Sequence, residues 1–189
     1  MFAKEMVKQS LPLLIVCGIG AIIAGNTFSG MKNLLQPDSS NFIPGLIVVV
    51  PAIIALRGNI STAFGSRLGS AYHLGVIDAN NMWNEELKQN IIGSLLLNFL
   101  MTIIIGILAY VTSLLFNVQP DPLLLILIVV IAGVISGLIL TLLTIIIIYI
   151  VFRRGYDPDN ITGPALATFG DIITMLCIFG SAVIVEAIL

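Results

Sequence analysis

Along the chain, apolar residues gather into five long runs separated by short polar stretches. The runs are Leu11–Gly30, Ile43–Phe64, Asn90–Phe116, Leu123–Phe152 and Pro164–Leu189. A helix needs about 20 apolar residues to cross a hydrocarbon core about 30 Å thick, whereas a barrel strand needs about 10 with alternating polarity. These runs are long and continuous, so they predict an all-α membrane protein with five transmembrane helices. The first run is longer than the roughly 7–15 apolar residues of a cleavable signal. Local signals mark the ends. Pro44 and Pro122 fall in predicted first turns, where a missing N–H costs nothing. Asp121 is a natural N-cap, and Asp157-Pro158-Asp159-Asn160 is a turn-forming run ahead of Pro164. Pro51, inside the second run, predicts a kink. The fourth run is long enough to tilt or protrude. The polar stretch Asp78–Gln89 predicts a short helix lying at the membrane interface, anchored by Trp83.

Composition removes the alternatives. Hydrophobic residues make up 58% of the 189 and charged residues 10%, against about 25% charged in a soluble domain. The mean hydropathy is +1.12. So few charges cannot cover a soluble globule, and so apolar a chain is not disordered. A net charge of −2, dispersed along the chain, gives no basis for nucleic-acid binding. Cys17 and Cys177 lie inside apolar runs and make no zinc site. A single membrane domain over residues 1–189 is expected, with no soluble regulatory domain. Lysine and arginine then set the orientation. With the N-terminus in the cytoplasm, the inner segments hold Lys4, Lys8, Arg57, Arg67, Lys88, Arg153 and Arg154, and the outer ones Lys32. The C-terminus is therefore placed outside. Tyr149 fits the inner aromatic belt.

Function must come from what is polar at membrane depth, where an ionisable group costs about 3 kcal/mol on insertion scales. Two acids qualify, Asp171 and Glu186, and Glu186 is close enough to the C-terminus to reach the outer interface. Asp171 lies seven residues past Pro164, about 10 Å along a helix. No lysine or arginine is expected at its depth, and its face carries Pro164, Ala167, Thr168 and Thr174. An unpaired carboxylate there points to a cation as partner. In the second run, Gly58 is followed by Asn59, Ser61 and Thr62, neutral oxygens suited to a hydrated divalent ion. The plainer reading is a helix end fraying at the interface with Asn59 as its cap. An aspartyl-protease pattern at Phe169-Gly170-Asp171 fails, because position 168 is Thr and Asp157 sits in an aqueous turn. His73 has no Glu-x-x-His context. The chain is expected not to be an enzyme and to need no organic cofactor.

Two blocks are similar to a known family. Val50-Pro51-Ala52, Leu56-Arg57-Gly58-Asn59, Ser66-Arg67-Leu68 and the continuing His73-Leu74-Gly75-Val76-Ile77-Asp78 form the first. Gly155-Tyr156-Asp157-Pro158-Asp159-Asn160-Ile161-Thr162-Gly163-Pro164 with Thr168-Phe169-Gly170-Asp171 forms the second. Their order and spacing resemble the MgtE family of magnesium channels and transporters, most closely its two-repeat solute-carrier relatives in animals. The resemblance implies a homodimer of five-helix protomers with the ion path on the two-fold axis, lined by the second and fifth helices. It implies ion binding by Asp171 from both protomers, by the backbone carbonyl of Ala167 one turn earlier, and by Asn59. Thr62 and Thr168 join these as candidate metal-site residues. Bacterial members carry large cytosolic sensing domains before the first helix, where this chain has about ten residues, and the animal relatives fuse two units.

The expected activity is passage of a divalent cation, Mg2+ foremost, through a multi-pass protein of the cell membrane. Mg2+ is the transported ion, and the lipid bilayer and a second copy are the partners. Two Asp171 carboxylates balance one dication across a two-fold axis. The alternatives are a proton- or sodium-coupled exchanger working through Asp171, and a membrane scaffold subunit. Asp157 and Asp159, with Asp78, Glu85 and Glu86, are candidates for sensing cytoplasmic Mg2+.

Overall fold

The computed structural model describes residues 2–77, 83–156 and 158–188. The acidic groups of Asp78, Asp157 and Asp159 lie outside what is described, and Glu85 and Glu86, the other candidates for sensing, are exposed at the start of a helix. The described residues form six helices: α1 (Phe2–Gly30), α2 (Lys32–Leu35), α3 (Leu46–His73), α4 (Glu85–Leu115), α5 (Pro122–Arg153) and α6 (Pro158–Ile188). Five of them are long and apolar enough to cross a membrane, over Ser10–Gly30, Leu46–His73, Glu85–Leu115, Pro122–Arg153 and Ile161–Ile188. α2 is a single extra turn that the hydrophobic pattern did not predict.

Several helix ends depart from expectation. Asp121 caps α5 as predicted, accepting from the Leu123 and Leu124 amides, with Pro122 in the first turn. Pro44 precedes α3 and is not in its first turn. The cap there is Gly45, whose φ of 82° suits glycine, and a Cβ at this position would lie 2.7 Å from Ser113 Oγ. Pro164 stands inside α6, which begins at Pro158. Residues 78–82 of the interfacial helix expected over Asp78–Gln89 lie outside the described residues. Its last five residues are the start of α4, capped by Asn84, whose side chain accepts from the Leu87 amide. Trp83 is 70% exposed beside that cap.

The largest correction concerns α3. Arg57, Gly58 and Asn59 do not mark a fraying end. The helix runs on to His73, so Asn59 is mid-helix and caps nothing. Hydroxyl groups along the bundle return their hydrogens to their own helix, Thr62 to the Gly58 carbonyl at 2.7 Å, Thr144 to Leu140 at 2.7 Å and Thr168 to Pro164 at 3.1 Å. In hydrocarbon this is how a polar side chain satisfies itself without leaving the helix.

α6 is central, packed on α1, α3 and α5, while α4 closes the bundle against α3 and α5. Two apolar clusters fill the interior. One, toward the α2 end, includes Leu46, Val49, Ile53, Leu125, Ile128 and Ile178. The other, at the opposite end, includes Phe64, Leu68, Leu87, Ile148 and Phe152. Between them lies a polar layer.

Candidate functional site

The polar layer is built on Arg57. Eleven residues into α3 from Leu46 and sixteen before His73, it is mid-membrane and only 2% exposed. It therefore does not belong among the basic residues at the membrane edge. Without it the bias is six against one, Lys4, Lys8, Arg67, Lys88, Arg153 and Arg154 against Lys32. Its Nη2 donates to the Gly133 carbonyl of α5, which also accepts from Asn98 Nδ2 of α4 at 3.1 Å. A Cβ on Gly133 would run into the Thr102 side chain, and one on Gly137 into Asn98 and the guanidinium. Gly133-x-x-x-Gly137, a spacing that brings membrane helices together, here makes a slot for buried polar side chains of the same protomer. Thr102 and Ser136 donate to carbonyls of their own helices in the same layer. The sequence reading missed this cluster. Its signal was present in the polar and small residues that interrupt three apolar runs, among them Arg57, Asn98 and Thr102, and Gly133 with Gly137.

Asp171 occupies the other side of α3. Gly65 of α3 lies against Thr162 and Leu166 of α6, and the two helices run antiparallel. Six to seven residues back from Gly65 on α3, and nine and five residues past Thr162 and Leu166 on α6, Gly58 and Asn59 come near the level of Asp171. Arg57 is the residue before Gly58 on α3. It makes no ion pair with Asp171: among the described residues the one salt bridge is Lys88 with Glu85, at the surface. Residues 57 and 59 are about 200° apart around a helix, so Arg57 faces inward and Asn59 outward. Asp171 is half-buried and Asn59 exposed. Among the described residues neither side chain has a hydrogen-bond partner. Ala167 is exposed one turn before Asp171. Thr62 is half-buried, one turn from Asn59 toward the His73 end. Thr168 is also half-buried but packs against Gly20 of α1, on the flank of α6 away from α3. So the fold sets Asp171, Ala167 and Asn59 on the open side of the protomer, Thr62 close by, and Thr168 against a neighbouring helix. Glu186 is exposed, as is His73, which meets Tyr72 edge-on at 6.0 Å.

The exposed side of α3 next to Asp171 is small and polar. Pro51, Ala55, Asn59, Ala63 and Ser66 are all exposed on α3, within about a third of the helix circumference. The exposed mid-membrane residues of α4 and α5 are bulky, such as Leu96, Ile104, Leu138 and Leu142, whereas α1 exposes Gly18, Ala21 and Gly25 beside Ile19 and Ile22.

Residues 50–181 match the family model described as MgtE, divalent cation transporter. The chain belongs to this family. It is 28% identical over 178 residues to solute carrier family 41 member 2 of Gallus gallus, covering 90% of this chain and 30% of that protein. The human member 2 matches at 27% with the same coverage. Solute carrier family 41 member 3 of Rattus norvegicus matches at 27% over 175 residues, 89% of this chain and 36% of that protein. The chain thus spans about a third of the length of the curated relatives it matches. With five apolar helices and membership of this family, it is a multi-pass membrane protein.

Proposed function

We propose that the chain passes divalent cations, Mg2+ foremost, across the cell membrane as a homodimer with the ion path on its two-fold axis. The observation that carries this is Asp171: a carboxylate at mid-membrane, half-buried, with no cationic partner among the described residues. Such a group does not face lipid, because hydrocarbon offers no partner to its charge. A second protomer covers it, and the small residues of α3 with Ala167 permit the close approach. The axis then carries two Asp171 carboxylates and two Asn59 amides at one depth, a charge of −2 matched to one dication. Mg2+ gives up its water shell reluctantly. The site therefore holds a largely hydrated ion, with Asn59 and the Ala167 carbonyl binding waters and Asp171 supplying charge. Thr62 offers lone pairs from the same side, since its hydrogen is committed to Gly58. Thr168 supports the flank of α6. The basic ends of the bundle face the cytoplasm, as six positive residues against one favour.

The test is ion flux by the purified protein in liposomes, with Asp171→Asn beside it. Divalent flux down its own gradient, independent of pH and sodium gradients and lost in Asp171→Asn, is the expected result. Flux driven by a pH or sodium gradient makes it an exchanger with Asp171 as the coupling site. No flux from well-folded protein makes it a scaffold.

A further inference from the structure

Among the described residues Arg57 is the one buried full charge that ion passage leaves unused. It is 2% exposed, and its Nε has no partner among the described residues, as has Asn98 Oδ1 beside it. As a strut joining α3 to α5 it is an expensive choice. A neutral side chain could reach the Gly133 carbonyl, as Asn98 does at 3.1 Å, without holding a charge in hydrocarbon. What a neutral strut lacks is the field. Arg57 is two residues from Asn59 on α3 and points away from the open face, so its charge stands about one helix diameter, roughly 10–12 Å, behind the Asn59 surface. The slot at Gly133 and Gly137 keeps the guanidinium there and prevents it from swinging out to pair with Asp171.

Resting on the Asp171 reading, we propose that Arg57 is a fixed counter-charge of the ion site, setting its affinity without touching the ion. Two protomers place two guanidinium charges behind two carboxylates. The empty central layer then sums to zero and the layer with one dication to +2. An empty pore can therefore keep both carboxylates ionised, and a bound dication is held loosely enough to leave, as conduction requires. One unit charge acting on a dication across that distance, at an effective dielectric of about 20, changes affinity at least about ten-fold.

The experiment is the Mg2+ dependence of liposome flux for wild type, Arg57→Lys, Arg57→Gln and Cys177→Asp, with Asp171→Asn in parallel. The Cys177 thiol on α6 lies within electrostatic reach of the guanidinium. Cys177→Asp therefore cancels the charge while leaving Arg57 and its Gly133 bond in place, which keeps the test open if Arg57→Gln fails to fold. Half-saturation should fall about ten-fold or more in Arg57→Gln and in Cys177→Asp, with lower maximal flux. Arg57→Lys, which keeps the charge and loses the fork, should keep the wild-type half-saturation. Unchanged half-saturation in Cys177→Asp, or a shift in Arg57→Lys equal to that in Arg57→Gln, overturns the proposal and leaves Arg57 a strut. If Asp171→Asn is silent while the charge-cancelling variants behave as wild type, only this inference fails. If Asp171→Asn transports normally, the ion site and its counter-charge fail together.

Discussion

At one depth in this bundle, α3 carries polar groups on two opposite sides. On the inner side Arg57, Asn98 and Thr102 are closed in among α3, α4 and α5 and fitted against two glycines. On the outer side Asp171 and Asn59 have open surroundings and no partner among the described residues. Both regions interrupt apolar runs with costly residues, yet only one is completed by its own chain. Polar groups that meet carbonyls inside a protomer hold the fold together. Polar groups left open at the same depth are the ones that the proposed dimer and its ion would complete. Charge content does not separate the two regions, since each has one full charge. Enclosure does.

The contrast can be broken experimentally. The largest effect is expected at Asp171. A unit charge and a dication 4 Å apart attract by about 8 kcal/mol at an effective dielectric of 20, twice the unit-charge figure. Water retained by the ion reduces the loss in Asp171→Asn to a few kcal/mol, tens- to thousands-fold in divalent affinity. Dimer assembly and membrane insertion should be unaffected, read by liposome flux beside size-exclusion chromatography. Wild-type flux from that variant would remove the open side as the ion site.

Gly137→Ala probes the closed side. The added methyl group meets Asn98 and the Arg57 guanidinium, and overpacking of this kind costs about 1–3 kcal/mol. A lower thermal midpoint in detergent is expected, and an unchanged midpoint would mean the slot is not tight. An Ala167→Cys protein with Cys17 and Cys177 changed to Ser should cross-link to a dimer under mild oxidation. The same background with Ile104→Cys, on the bulky lipid-type surface, should remain monomeric on the gel. Equal cross-linking from both would erase the distinction between the two surfaces. The smallest effect belongs to Asn59→Ala. A neutral group holding an ion's water contributes about 1 kcal/mol net, so about a five-fold rise in half-saturating Mg2+ is expected in the same flux assay.

The five membrane crossings were legible because the bilayer imposes a length, and a run of about 20 apolar residues satisfies it in any surroundings. Asp171 was legible for the same reason, as an acid deep inside such a run with no sequence neighbour to neutralise it. Asp121 and Pro122 gave the start of α5, since capping is decided within one turn. Arg57 was misplaced because hydropathy treats a charge followed by Asn59, Ser61 and Thr62 as the approach to water. The helix continues because Ser61, Phe64, Gly65 and Leu68 are buried against neighbouring helices, a condition set by residues far away in the chain. Whether an arginine snorkels to an interface or turns inward depends on a carbonyl being available on another helix, and that carbonyl is Gly133, 76 residues distant. The sequence by itself determined how many helices cross and which carboxylate lies deepest. The tertiary structure decided which polar residues each helix encloses and which it leaves open, because enclosure belongs to several helices at once.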